Sequence, residues 1–271
     1  MMLKRTHCIG ILIALFLGGA GLSSHAWASL VELPLNNSTT TSDRNGKVDF
    51  GIDYSDIFDR QLESSGSGGS SASGGRITQA NQVHTKVIYA VNQYLNIYGK
   101  LGASQWKEKV SQNNGAQIAV NYKTGFSWGL GTAGVIRFAQ DWQVFYDIQY
   151  LATPSIDVST ITLPDRTTSI HTGSINAQEF HLALGAGREF HTYSQWASVI
   201  FPYLGVVLST LTIDHNSITW SSGSFNDRLH EDSKFGLFAG IRFANESNWT
   251  LRFEGRVGDE SSVSLSLDYL F

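Results

Sequence analysis

Charge is scarce in this chain: only 15% of its 271 residues are Asp, Glu, Lys or Arg, against about 25% in an ordinary soluble domain. There is no basic surplus either. The formal net charge is −4, which argues against a surface built to neutralise nucleic-acid phosphates. Proline is limited to 4 residues and cysteine to 1. A lone cysteine excludes an intramolecular disulfide framework. Long apolar runs are missing as well. Only residues 8–22 approach the length of a membrane-spanning helix, and the mean hydropathy is −0.10, so a helical membrane protein is excluded. Disorder is excluded in turn by 12% aromatic residues and a small net charge. What is abundant is glycine, at 27 residues, together with Trp, Tyr and Phe. A chain of this length and composition suits one all-β domain of about 240 residues.

The first 28 residues read as an address. Lys4 and Arg5 precede the apolar run at 8–22, and Ala26-Trp27-Ala28 places small residues where a signal peptidase reads them. The expectation is a signal peptide over 1–28, cleaved before Ser29, and an exported protein. Cys8 falls inside the apolar run, so no lipid-bearing N-terminal cysteine is expected. Residues 29–46 are polar, rich in Thr, Asn and Ser, and contain Pro34. They read as a flexible periplasmic lead-in.

From residue 47 onward apolar and polar residues alternate with period two, the repeat of an extended strand. Residues 47–54 set Val48, Phe50, Ile52 and Tyr54 against Asp49, Gly51 and Asp53. Residues 126–138 set Phe126, Trp128, Leu130, Ile136 and Phe138 against Ser127, Gly129, Gly131 and Arg137. Residues 142–150 set Trp142, Val144, Tyr146, Ile148 and Tyr150 against Gln143, Phe145, Asp147 and Gln149. Segments 83–91, 95–103, 178–190, 201–214, 235–243, 249–257 and 263–271 repeat the scheme, although neither face of 201–214 is clearly polar. A soluble barrel fills its inside with branched aliphatics and turns charge outward. Here the second face carries Gly, Ser, Ala and Asn with isolated charges, and the apolar face gathers aromatics near the strand ends. That inversion is expected when lipid is the outer solvent. The fold class predicted is all-β: a transmembrane antiparallel up-and-down β-barrel of about ten strands over residues 47–271, with eight strands as the alternative. Trp142, Trp249, Phe138, Phe243 and Tyr269 would form one aromatic girdle, and Tyr150, Phe126 and Phe235 the other. Connections alternate in length, as barrels require. Residues 92–94, 139–141, 191–200 and 244–248 read as inner turns; 58–76, 107–123, 152–177 and 216–234 read as outer loops. The tight connection at 258–262 breaks that rule.

The C-terminal strand carries a resemblance. Val263, Leu265, Leu267, Tyr269 and the terminal Phe271 alternate and end on an aromatic residue. This resembles the C-terminal signature of Gram-negative outer-membrane β-barrels. With the Phe-Pro-Tyr-Leu-Gly stretch at 201–205, residues 46–271 resemble the OmpA-like, opacity-type group of small outer-membrane proteins. The resemblance implies location in the cell outer membrane. It implies Leu267, Tyr269 and Phe271 as the signal read by the barrel-assembly machinery, with outer-membrane lipids and lipopolysaccharide as surroundings. An apparent fifth hairpin departs from the eight-stranded members of that group.

In this register Lys86, Lys100, Arg137, Arg242, Arg252 and Arg256 point into the lumen toward Asp49, Asp53, Asp147, Glu254 and Asp268. Paired, they form a structural network, since an unpaired buried charge costs several kcal/mol. Lining a water-filled path, they form a charge-selective constriction. A lumen of about ten strands is largely filled by side chains. The expectation is therefore a plugged barrel with a structural or surface-interaction role, with a small-solute channel as the alternative and a barrel hydrolase third. Catalysis finds little support. Asp214 and His215 are adjacent on a strand and point to opposite faces. His230-Glu231-Asp232 reads as a solvated turn. Neither a Gly-x-Ser-x-Gly elbow nor a metal-spaced histidine pair occurs. No enzyme activity, metal or cofactor is expected. The Gly-Ser run at 66–75 lacks the ending of a phosphate loop. The long polar loops suit recognition of a host or surface ligand.

Overall fold

Every regular element among the described residues is a β-strand. The computed structural model describes residues 31–32, 45–64, 72–113, 115–138, 141–164, 168–169, 171–220, 223–231, 234–245 and 248–271. The signal peptide expected at 1–28 and most of the lead-in lie outside the described residues. The strands are β1 (Val48–Ser64), β2 (Ala72–Asn92), β3 (Leu95–Gln112), β4 (Gln117–Tyr122), β5 (Gly125–Arg137), β6 (Trp142–Thr162), β7 (Thr168–Ser169) and β8 (His171–Arg188). They continue as β9 (Phe190–His191), β10 (Val199–Trp220), β11 (Gly223–Phe225), β12 (Arg228–Glu231), β13 (Phe235–Ala244), β14 (Trp249–Val257) and β15 (Ser261–Leu270).

Two closed rings are stacked on one another. The lower ring has ten antiparallel strands in chain order: β1, β2, β3, β5, β6, β8, β10, β13, β14 and β15. β15 closes onto β1 from Asp49↔Leu270 to Asp59↔Ser261. Closure leaves no strand edge for lipid to face. The upper ring has eight strands. β4 replaces β5 between β3 and β6, and β12 pairs with both β10 and β1 in place of the last three strands. The cause is the tight 258–262 connection. β14 and β15 have 9 and 10 residues, whereas β1, β2, β3, β6, β8 and β10 have 17 to 22. Where that short hairpin ends, β12 bridges the gap. Gly258 permits the turn with a φ of 112°, a conformation that L side chains rarely adopt.

Polarity changes sides at the step. Inward-facing positions of β2 run from Lys86 and His84 to Ala80 and Ile77, while its outward positions run from Val87 and Val83 to Asn81, Gln79 and Arg76. β10 repeats the switch: outward Leu204, Val206 and Leu208 give way to Thr210, Thr212 and Asp214, and inward Leu211 and Ile213 are buried. The lower ring is thus apolar outside and polar inside, as lipid demands. The upper ring is a collar patterned like a soluble barrel. The segments expected as outer loops at 58–76, 107–123, 152–177 and 216–234 are therefore largely strands of this collar, because their apolar residues face a core above the membrane. At the opposite end Phe138 and Trp142 lie 6.5 Å apart, and Phe271 meets Tyr269 at 4.9 Å and Phe50 at 5.6 Å. These rings line the rim where the start of β1 and the end of β15 meet the inner turns.

Candidate functional site in the barrel lumen

The lumen is filled in layers. In the membrane-level layer Lys86 Nζ lies 2.8 Å from Asp53, 2.8 Å from Asp268 and 2.9 Å from Glu32. It also donates to Ser266 Oγ at 2.9 Å. Lys100 Nζ reaches the other oxygen of Asp53 at 2.9 Å. Gly51 makes room for this: a Cβ there would collide with Asp268 and Lys86. Tyr98 donates its hydroxyl to Asp147 at 2.6 Å, and Tyr203 donates to Glu254 at 2.9 Å. Arg252 completes the layer by pairing with Glu32 at 3.3 Å.

Beside these charges sits an apolar cluster of Val31, Val135, Phe145, Ala183, Phe201, Tyr203, Val207 and Phe238. Phe145 meets Tyr203 edge-on at 5.6 Å and Phe238 at 6.1 Å. Toward the rim, Arg242 stacks 4.7 Å over the Phe201 ring and pairs with Glu189 at 3.4 Å. Arg137 lies opposite Gln143.

At the step between the rings, Arg60 is fully buried among three carboxylates. Its Nε and Nη2 donate to Glu231 at 2.8 and 2.9 Å, Nη1 lies 3.1 Å from Glu260, and it also pairs with Glu179. Arg256 donates to Asp259 at 3.0 Å and lies 3.4 Å from Glu260. Ser209 donates to Asp259 at 2.7 Å, and His181 reaches Glu179 at 2.7 Å. Asp259 and Glu260, in the turn between β14 and β15, are buried. That is exceptional for a hairpin tip, and the two arginines explain it by satisfying its carboxylates.

Above the step, the collar holds an apolar core that includes Ile57, Ile77, Trp106, Val120, Ile156, Ile175, Leu211, Ile213, Phe225 and Leu229. One polar knot is embedded in it. His215 donates from Nδ1 to the Asp227 carbonyl at 2.9 Å and from Nε2 to Glu108 at 3.0 Å, and Tyr122 donates to the same Glu108 oxygen at 3.0 Å. Burial alone would lower the His215 pKa. The Glu108 carboxylate outweighs it and holds the ring above the usual histidine range. Burial and Glu108 both push the Tyr122 phenol well up.

The lumen charges expected from the sequence all point inward. Lys86, Lys100, Asp147, Arg242, Arg252, Glu254, Arg256 and Asp268 are buried, and Arg137 is half-buried at the rim. Asp214 and His215 part as the strand period requires: Asp214 faces out to Arg228, and His215 faces in. Leu267, Tyr269 and Phe271 are on the outer face at the rim. Two expectations need correction. Glu231, read within a solvated turn, is buried against Arg60 because β12 is part of the collar wall. The six bases set against five acids do not describe the lumen either, since among the described residues buried acids outnumber buried bases. Sequence reasoning missed Glu32, Arg60, Glu108, Glu179, Asp259 and Glu260. Glu179 shares parity with His181 and Ala183 and was within reach of the alternation. Glu32 sits in a stretch with no alternation to read.

No protein-family model and no curated protein matches the chain. Solved structures do. The outer membrane protease OmpT from Escherichia coli aligns over 87% of this chain and 100% of its own, with a TM-score of 0.51 at 10% identity. The translocator domain of the autotransporter NalP from Neisseria meningitidis aligns over 85% and 90%, with a TM-score of 0.43 at 14% identity. An outer membrane channel from Pseudomonas putida F1 aligns over 88% and 100%, with a TM-score of 0.39 at 8% identity. The chain has the outer-membrane β-barrel fold.

Proposed function

We propose that the protein is an integral barrel of the cell outer membrane that conducts no solute and works at the cell surface. The observation that carries this reading is the narrowing from ten strands to eight, with an apolar core filling the narrower ring. Eight strands enclose a space that side chains can close. The ion network at the step and the aromatic cluster below add two further obstructions. A small-solute channel would need a hydrated path past all three. The lower ring anchors the molecule among outer-membrane lipids and lipopolysaccharide. The collar then holds its hairpins as a rigid platform for a host or surface ligand. Within the outer-membrane class, the alternating 263–271 strand supports assignment to the opacity-type group and recognition by the barrel-assembly machinery.

The reading includes no catalytic step. Likeness to a protease at 10% identity concerns the fold alone. The histidine–acid pairs His215 with Glu108 in the collar and His181 with Glu179 at the step are both sealed inside rather than open to a substrate. Outer-surface binding is tested by deleting the β10–β11 hairpin tip, residues 219–224. Retained folding with lost adhesion to a surface ligand supports the platform. Full retention of adhesion when each collar hairpin is trimmed in turn contradicts it.

A further inference from the structure

Residues 31–32 are the one described piece of the N-terminal lead-in apart from its end at 45–46, and they lie inside the lumen. Their contacts are numerous and specific. The Glu32 carboxylate is held by Lys86 at 2.9 Å and Arg252 at 3.3 Å, with Lys100 at 3.9 Å. The Glu32 N–H donates to Asp147 at 3.0 Å, and the Val31 N–H donates to Glu254 at 3.0 Å. The Val31 carbonyl accepts from Arg252 at 2.7 Å. The Val31 side chain joins the aromatic cluster of Phe145, Phe201, Tyr203 and Phe238.

Each receiving group is itself oriented by the wall. Tyr98 fixes Asp147, Tyr203 fixes Glu254, and Asp53 and Asp268 fix Lys86. These wall groups come from strands far apart in the chain, so the site is built by the barrel and not by the segment. Two carboxylates aimed at backbone N–H groups, an arginine aimed at a carbonyl and a cationic cradle for a side-chain carboxylate suit an extended acidic peptide. A free phosphate or small carboxylate would satisfy the cradle and leave the two N–H acceptors unmatched.

We infer that the lumen below the step is a peptide-binding site for a hydrophobic–Glu pair in extended backbone, and that the chain's own Val31–Glu32 occupies it as a tethered plug. Tethering explains how a polar peptide can compete with water there: the local concentration of a linked segment is high, so modest intrinsic affinity keeps it docked. The site lies below the collar, on the side where β1 begins, so plug exchange needs no opening of the collar.

The test uses the full chain with Cys8→Ser and a single reporter thiol from Val31→Cys. In the folded barrel a membrane-impermeant maleimide should label position 31 at least about tenfold more slowly than a Tyr193→Cys control, because a buried thiol reacts only through local opening. Tyr193 is fully exposed in an inner turn. Adding Glu32→Ala should raise the rate at position 31 about tenfold or more, the factor that 1.4 kcal/mol of lost affinity produces. The Glu32→Ala barrel should then bind a fluorescent Ser-Leu-Val-Glu-Leu-Pro peptide and reject the same peptide with alanine for glutamate. Heat-modifiable gel migration checks folding, and Glu32→Gln replaces Glu32→Ala if that barrel does not fold. Labelling at position 31 as fast as at position 193 would overturn the inference. So would protection unchanged by loss of the carboxylate, or equal binding of both peptides.

Discussion

Arg60 shows how much a single side chain organises. Its guanidinium serves Glu179, Glu231 and Glu260, on three different parts of the wall. Arg60→Ala would leave buried carboxylates without their cation, at a cost of about 3–5 kcal/mol. The barrel should lose its heat-resistant gel form at lower temperature, and Lys123→Ala, which breaks only an exposed pair with Asp157, should change the transition by no more than about 0.5 kcal/mol. His215 makes a prediction of the opposite kind, in pH. Its pKa is raised in the folded state, so the imidazolium–Glu108 pair contributes full stability below the usual histidine pKa. That contribution fades as pH rises through the higher folded value. Proteolytic nicking of the collar should therefore increase as pH rises from below the usual histidine pKa through the higher folded value, and His215→Gln should flatten the profile. A collar equally resistant across that range would contradict the pair. At this scale the sequence was informative for residues on alternating strands, as Lys86, Arg252 and Asp268 attest. It was silent for Glu32, Asp259 and Glu260, whose burial depends on where a turn or a non-strand segment tucks in.

At the scale of elements, the alternation located the lipid-facing strands but misread their continuations. Collar segments such as 107–123 keep the period while exchanging apolar and polar faces: inward Val110, Ile118 and Val120 are buried, and outward Lys109 is exposed. A reader tracking one apolar face sees the pattern stop and infers a loop. The ambiguous 201–214 strand has a related cause. Phe201, Tyr203 and Val207 point into the lumen's aromatic cluster while Leu204, Val206 and Leu208 face lipid, so both faces are apolar. The anomalous short connection at 258–262 was visible in the sequence; its consequence, the switch from ten strands to eight, was not, because it depends on β12 reaching β1. The last strand offers a test. Phe271 packs on Phe50 and Tyr269, yet its ring is mostly exposed. Deleting it should slow insertion in cells by severalfold while the purified, refolded barrel keeps its gel mobility. Normal insertion of the shortened chain in cells would count against Leu267, Tyr269 and Phe271 as an assembly signal.

For the whole molecule, the two stacked rings solve different problems with one wall. The lower ring meets lipid and carries its charges inside, and the collar meets water and carries its apolar residues inside. Fewer strands in the collar draw its walls together until side chains fill it. A barrel built this way should be rigid, sealed and tall, with its chemistry concentrated in a plug below and a platform above. The most direct test is single-channel recording of the refolded barrel in a planar bilayer. The sealed collar predicts a silent membrane at all voltages up to rupture, both for the native sequence and for Glu32→Ala, since the collar closes the path even without the plug. Steady, discrete openings of the native barrel, with an ion selectivity shifted by Arg252→Ala or Glu254→Ala, would contradict the account and make the buried charges a filter.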